Sequence, residues 1–310
     1  MEKTQIANTS VFTPKLGLGT NKVGGHNLFN NLSDEDGIQV VKTALNQGIT
    51  LLDTAYVYGL GQSETLIGQV LGNYDRSKII IATKAAHDVK ANLAINNAPN
   101  FLTRAVDDAL QRLQTDYLDI FYIHFPDETT PKAEAVGALQ KLKEAGKIRA
   151  IGISNFSLDQ VKEANADGYV DIVEDAYSLV ERQAEIDLLP YLQANQISFI
   201  PYFPLASGLL TGKYKITQEF KKEDWQYGRP NFQNPRYAQI LAAIDNIKPI
   251  AGKYEATITQ ILLAWYLQNP AITAVIPGAR LASQVLSNAK SVRLKLTREE
   301  YQLIDQAFKC

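Results

Sequence analysis

Short β-branched runs alternate with amphipathic stretches along nearly the whole chain, and this rhythm is the strongest constraint on its fold. Thr50 to Ala55, Lys78 to Lys84, Leu118 to His124, Ile148 to Ser154, Asp171 to Tyr177, Ile197 to Pro201 and Thr273 to Pro277 read as strands. Several are apolar on both faces, as parallel strands covered by helices are. Leu16-Gly17-Leu18-Gly19-Thr20 is a weaker candidate for a first strand, making about eight. Helix signals lie between them. Ser33 to Asp36 resembles a capping box before the apolar stripe Ile38, Val41, Ala44 and Leu45, which Gly48 ends. Ser157 with Gln160, and Thr297 with Glu300, open two more helices in the same way. Thr103 to Leu113 places Val106, Ala109, Leu110 and Leu113 on one side, and Ser63 to Leu71 and Lys132 to Glu144 complete the first half.

Two α/β architectures give this alternation, a (β/α)8 barrel and a doubly wound parallel sheet. A dinucleotide-binding sheet of the second kind carries a Gly-x-Gly-x-x-Gly turn after its first strand. Gly17-Leu18-Gly19 has Lys22 where the third glycine belongs, and Gly59-Leu60-Gly61 has Glu64 there. The double failure favours a single (β/α)8 TIM barrel over residues 1–310, with extra helices. Ala206 to Arg236 breaks the rhythm after the predicted seventh strand. A connection of that length is usually functional or disordered, and in a barrel it lies on the catalytic face.

Composition narrows the class of protein. Lys and Arg total 31 against 33 Asp and Glu, a net charge of -2, and 45% of residues are hydrophobic. That describes a globular chain without an electropositive face for nucleic acid or anionic lipid. Cys310, the one cysteine, has no internal partner, which suits a reducing compartment. Met1 to Lys15 has no apolar signal-peptide core, and Ile261 to Leu267 is far too short to span a membrane. A soluble, cytoplasmic protein is expected, with neither a nucleic-acid nor a membrane partner.

In a barrel, polar residues at the C-terminal ends of strands face the active-site bowl. Those ends supply Asp53, Lys84, His124, Ser154, Asn155, Glu174 and Tyr202, with Tyr58 just beyond Asp53. Each has a plainer reading: Asp53 as a turn cap, Tyr58 as packing, His124 as a hydrogen-bonded structural histidine. Lys84 is hardest to explain that way, because an ammonium on an apolar strand needs a carboxylate such as Asp53. Other chemistries fail on spacing. Gly152 to Phe156 lacks the last glycine of a nucleophile elbow, and there is no Walker A sequence. His26, His87 and His124 have no metal-ligand spacing, so no metal is expected.

From about Leu16 to Leu303 the chain resembles the aldo-keto reductase family. The resemblance rests on Leu16 to Thr20, Asp53-Thr54-Ala55-Tyr56-Val57-Tyr58-Gly59, Ser63-Glu64, Thr83-Lys84, Tyr122-Ile123-His124, Gly152 to Phe156, Pro204 to Lys213 and Ile276 to Arg280, in that order. It implies a catalytic tetrad of Asp53, Tyr58, Lys84 and His124, with NADPH across the barrel mouth. Tyr58 would be the general acid, its pKa of about 10 lowered by Lys84. Asp53 would hold Lys84, and His124 would hydrogen-bond the substrate carbonyl. Further implied cofactor contacts are Gly19, Thr20, Asn21 and Asp53, then Ser154 and Asn155 on the nicotinamide carboxamide, with Glu174 beside them and Tyr202 stacked on the ring. Leu205, Ser207, Gly208 and Lys213 would surround the pyrophosphate, with Phe203, Pro204 and Ala206 also touching the cofactor. Gly278, Ala279, Arg280, Gln284 and Asn288 would bind the adenosine end. Arg280 suits a 2′-phosphate and so favours NADPH, while tolerating NADH.

Two departures from the family pattern stand out: Glu174 where glutamine is usual, and Ser287 before Asn288 where glutamate is common. Phe29, Phe125, Phe156, Trp225 and Tyr227 are candidate substrate-pocket walls. The implied function is reduction of small aldehydes or ketones, or alcohol oxidation in reverse, by a monomer or weak oligomer. A cofactor-binding regulatory or sensor subunit with little turnover is one alternative; a Schiff-base aldolase using Lys84 is another. The substrate and the physiological direction stay open.

Overall fold

Seven of the eight predicted strands form, with ends displaced by at most two residues, in a computed structural model that describes residues 1–309. They are β1 (Leu18–Gly19), β2 (Leu51–Asp53), β3 (Ile80–Ala85), β4 (Leu118–Ile123), β5 (Ile148–Ser154), β6 (Ile172–Ala176) and β7 (Ser198–Tyr202). All pair in parallel, in sequence order from β1 to β7. The expected eighth strand, Thr273 to Pro277, is not a regular one. It closes the barrel through isolated bridges, Leu16 with Val275 and Gly19 with Gly278, and through the Thr273 N–H to Phe199 O bond of 2.9 Å. Pro277 has no N–H, and Gly17, Gly19 and Gly278 weaken strand order around the seam, so the ladder there is incomplete.

Period-two alternation divides each strand between two cores. Inward positions such as Leu51, Ile80, Ala82, Ile120, Tyr122, Ala150, Ile172, Ile200, Ala274 and Ile276 fill the barrel. Ile6 and Val11, from the turn between the short antiparallel strands Lys3–Gln5 and Phe12–Pro14, join that cluster. The turn is fixed at the start of β7 by the Ala7 N–H to Ser198 Oγ bond of 2.9 Å, so it plugs the N-terminal end of the barrel. Gly152 is required inside: a Cβ there would sit 2.2 Å from the Tyr122 ring.

Outward strand positions pack on the helices α1 (Asp34–Asn46), α2 (Gln62–Leu71), α3 (Pro99–Leu113), α4 (Lys132–Glu144), α5 (Leu158–Ala164), α6 (Leu188–Ala194), α7 (Arg236–Lys253), α8 (Ile258–Gln268), α9 (Ala282–Ala289) and α10 (Arg298–Ala307). The Ser157–Gln160 and Thr297–Glu300 capping boxes form, and Ser33 caps α1 through the Asp36 N–H alone. A further box, Thr257 with Gln260, opens α8. The long connection after β7 has only short 3-10 turns at Ala206–Thr211 and Pro230–Phe232. Edge-to-face contacts among Tyr214, Phe220, Phe232 and Tyr237 give it a small aromatic core of its own.

Candidate active site

The strand registers carry Asp53, Lys84, Tyr122, Ser154, Glu174 and Tyr202 to the inner face at the C-terminal ends of β2 to β7. His124, two residues after Tyr122, continues the same parity just beyond β4. Lys84 Nζ makes a very short ion pair with Asp53 Oδ1 and donates to Thr54 O at 3.0 Å. It also lies 3.2 Å from Glu174 Oε2, within ion-pair reach but without hydrogen-bond alignment. All three side chains are buried. Tyr58 lies on the loop after β2, its ring edge-on to His124 with centroids 6.3 Å apart, and Lys84 Nζ is 5.9 Å from the Tyr58 centroid. The four residues of the implied tetrad are therefore together.

His124 is 8% exposed, stacked on Phe125 at 4.7 Å and edge-on to His87 at 5.9 Å. Asn155 ties the next two strand ends to it. Its Nδ2 donates to His124 O at 2.9 Å and to Ser154 Oγ at 3.0 Å, and its Oδ1 accepts from Tyr202 OH at 2.8 Å. Asn155 adopts a left-handed φ of 63°, which asparagine tolerates better than most residues.

Burial dominates the electrostatics. It would lower the Lys84 ammonium, but Asp53 and then Glu174 carry it above its ordinary range. His124 is pushed well below 6.5 by burial, with Lys84 and His87 adding to this, so it is neutral at pH 7 and carries one N–H. Tyr58 corrects the sequence expectation. Lys84 does pull the phenol down, but burial, with Asp53 and Glu174, pushes it up and wins. Asp53 pairs directly with the ammonium, so the ammonium's field at the phenol is weakened. Tyr58 consequently keeps its proton throughout the physiological range.

A polar layer behind the inward residues explains Ser63 and Glu64. Thr54 Oγ1 donates to Ser63 Oγ at 2.9 Å, Ser63 Oγ to Thr20 Oγ1 at 3.1 Å, and Thr20 Oγ1 to Asp53 O at 2.8 Å. Glu64 accepts from Thr83 Oγ1 at 2.6 Å and from Arg112 Nε at 2.6 Å. Thus α2 is bound to the outward neighbours of Gly19, Asp53 and Lys84. The sequence signal was present in those threonines beside the strand-end residues, though their partners were not readable.

The end of β1 adjoins the seam beside this centre, and the long connection starts from the end of β7. Asn21 Oδ1 lies 3.3 Å from where a Cβ on Gly278 would be. Phe203, Ala206, Ser207 and Gly208 all have positive φ, and Lys213 Nζ is 3.2 Å from a Cβ position at Gly208, so only glycine leaves that space clear. Pro204 O is held by Tyr266 OH at 2.7 Å, and Leu205 O accepts from the Gly208 N–H. Arg280 donates to the carbonyls of Asn30 and Asn31, so it braces the loop before α1. Gln284 Oε1 accepts from the Arg280 N–H at 2.7 Å; Ala279 and Asn288 are buried nearby. Ser287 is bonded to Gln260 Nε2.

Lys22 is a residue the sequence reading passed over except as a broken glycine motif. Burial lowers its ammonium, and Lys213 and Arg280 lower it further, so the three cations cluster. Among the described residues none of the three has a carboxylate within ion-pair distance. Such a cluster of cations, next to the space kept clear at Gly208, is of the kind that could meet the phosphates of a dinucleotide. The aromatic candidates separate: Phe29 lies under Lys22 at 5.6 Å and Phe125 against His124. Phe156 is 4% exposed in the helix-facing core, whereas Trp225 and Tyr227 are exposed on the long connection.

The Aldo/keto reductase family model matches residues 15–309. Aldo-keto reductase YhdN of Bacillus subtilis (strain 168) is 35% identical over 98% of this chain and 93% of its own length. The NADH-specific methylglyoxal reductase of Escherichia coli (strain K12) is 32% identical over 98% and 97%. The structure of the glycerol dehydrogenase AKR11B4 from Gluconobacter oxydans superposes with a TM-score of 0.89 at 32% identity, covering 98% of this chain and 94% of that one. Barrel, strand-end cluster and full-length similarity agree: the chain belongs to the aldo/keto reductase family, oxidoreductases that act on carbonyl groups with nicotinamide cofactors.

Proposed function

We propose that the protein reduces aldehyde or ketone groups of small molecules, and oxidises alcohols in reverse, with Tyr58 as proton donor and NADPH as preferred cofactor. The observation that carries this reading is a protonated phenol held beside a buried ammonium and a neutral imidazole at the barrel mouth. The dinucleotide, when bound, supplies the hydride that no side chain can. Lys22, Lys213 and Arg280 would meet its phosphates, and Ser154, Asn155 and Tyr202 would hold its nicotinamide. The remaining steps belong to this chain. The neutral His124 donates its N–H to the carbonyl oxygen and fixes its direction. Tyr58 passes its hydroxyl proton to that oxygen, and Lys84 stabilises the phenolate left behind. Asp53 keeps Lys84 charged and in place.

The acceptors crowded around Lys84, and its raised pKa, support a fixed cation over a free amine able to form a Schiff base. NADPH over NADH is supported by Arg280, which among the described residues has no carboxylate within ion-pair distance and could turn to a 2′-phosphate. The test is Tyr58→Phe with a reactive aldehyde. Cofactor affinity should stay as it is, while turnover falls by roughly 10² to 10⁴, the usual worth of a placed general acid. Undiminished turnover would sink the reading. Fluorescence titration with NADPH and NADH checks the preference, and equal affinities would remove it.

A further inference from the structure

Two buried carboxyl groups share one buried ammonium at the floor of the site. Asp53 from β2, Lys84 from β3 and Glu174 from β6 are all nearly inaccessible to solvent. The other titratable groups facing Glu174 are phenols: Tyr58 on the loop after β2, Tyr122 from β4 and Tyr202 from β7. Lys84 is the sole cation acting on the Glu174 carboxyl among the described residues. With both carboxyls ionised the barrel would enclose an uncompensated negative charge, which low-dielectric surroundings strongly disfavour. The hydrogen bonding shows the same imbalance. Asp53 Oδ2 and Glu174 Oε2 are both buried and lack a donor, although the two carboxyls are within hydrogen-bond reach of each other. One proton between them supplies the missing donor and cancels the excess charge.

We propose that Glu174 is a neutral carboxylic acid hydrogen-bonded to Asp53, and that in this form it is a positioning residue that leaves Lys84 paired with a single anion. Asp53 is the ionised member because it accepts the hydrogen bond of Lys84 Nζ, which is not aligned on Glu174. Burial, then the Asp53 charge, hold the Glu174 carboxyl well above the ordinary range against the pull of Lys84. In this state Glu174, like an amide, presents both a donor and an acceptor, with one donor hydrogen where the amide has two. When it ionises, a second anion stands 3.2 Å from Lys84 and cancels the positive field that stabilises the Tyr58 phenolate. Carbonyl reduction then declines as pH rises through the Glu174 pKa. This functional consequence rests on Tyr58 being the proton donor; the shared proton itself does not.

Infrared spectroscopy of carboxyl-labelled protein at pH 7, wild type minus Glu174→Gln, tests the proton without any substrate. A protonated-acid C=O band that the variant lacks is expected. A difference spectrum showing only carboxylate bands overturns the proposal. Should Glu174→Gln not fold, Glu174→Leu serves the same subtraction. The pH profile of kcat/KM tests the role. Wild type should lose about tenfold per pH unit above the Glu174 pKa, a limb absent from Glu174→Gln. The same limb in both proteins would overturn the positioning role. Failure of the Tyr58 reading shows elsewhere, as turnover retained by Tyr58→Phe with the infrared band intact.

Discussion

Arg112→Ala is expected to cost about 3–5 kcal/mol of stability at neutral pH, the range for removing one partner of a buried ion pair. Glu64 is 1% exposed; one oxygen takes the Thr83 hydroxyl and the other the Arg112 Nε–H, each at 2.6 Å. Without Arg112 the second oxygen has no donor, and the carboxylate retains a single neutral hydrogen bond. Arg112 is itself only 24% exposed, so solvent does not screen the pair as it would a surface bridge. With an unfolding entropy of roughly 2.1 cal/mol/K per residue, the loss corresponds to a Tm lower by about 5–8 °C for a chain of 310 residues. Its sign with pH is specific. Burial holds the Glu64 carboxyl above 4.5 even with Arg112 present, and deleting the cation raises it further. A raised carboxyl gives the folded state more protons than the unfolded one, so stability falls as pH rises from 4.5 to the folded value. The deficit of the variant should therefore grow as pH rises above the wild-type folded value. Calorimetric melts over that range measure it, and adding Glu64→Gln should recover much of the loss. A deficit that ignores pH, or survives Glu64→Gln undiminished, would refute the reasoning.

Gly152→Ala places a methyl 2.2 Å from Tyr122 Cδ1, so the ring must shift inside a filled barrel, at about 1–3 kcal/mol for such overpacking. Tyr122 also lies 5.3 Å from Lys84 Nζ, so turnover should fall with stability; denaturant midpoints indistinguishable from wild type would show that the barrel has room. Lys22→Ala should weaken binding of ADP and of 2′,5′-ADP by about tenfold, the worth of one charge-assisted contact, and more at low salt. Calorimetric titration with both ligands checks it, and unchanged affinities would place Lys22 away from the phosphates.

The positions of Asp53, Lys84 and His124 were legible because strand parity is local. Each is the polar end of an apolar run, and parallel strands in a closed barrel aim all such ends at one mouth. The seam at Thr273 to Pro277 looked like the other strands because its composition is the same, while its missing ladder depends on glycines at the opposite strand. The net shift of the Tyr58 phenol runs opposite to the pull of Lys84. Proximity of Lys84 follows from spacing, but depth of burial and the nearness of Glu174 are properties of the assembled barrel. Lys22 fails as a glycine-motif position, and its meeting with Lys213 and Arg280 joins segments distant in sequence. Phe125 and Phe156 follow similar strand ends, yet one stacks on His124 and the other enters the outer core.

A single structural rule links the chemistry to the residues behind it. On β2 and β3 the inward residues Asp53 and Lys84 carry charge, and the adjacent outward residues Thr54 and Thr83 are buried hydroxyls bound to α2. An apolar outward residue would pack there almost as well, but dispersion contacts are non-directional and allow a strand to slide by fractions of an ångström. A hydrogen bond to Ser63 or Glu64 is directional and resists that slip. The loop bearing Tyr58 lies between β2 and α2, so the bonds that anchor the helix also set the phenol against Lys84. Asp53-Thr54, Thr83-Lys84 and Ser63-Glu64 are thus one device: charge faces the bowl, and the hydroxyl or carboxylate beside it holds that charge in register. The same logic places the shared proton of Glu174. The floor around Lys84 is buried, which disfavours a second anion there, and neutralising one carboxyl balances the charge.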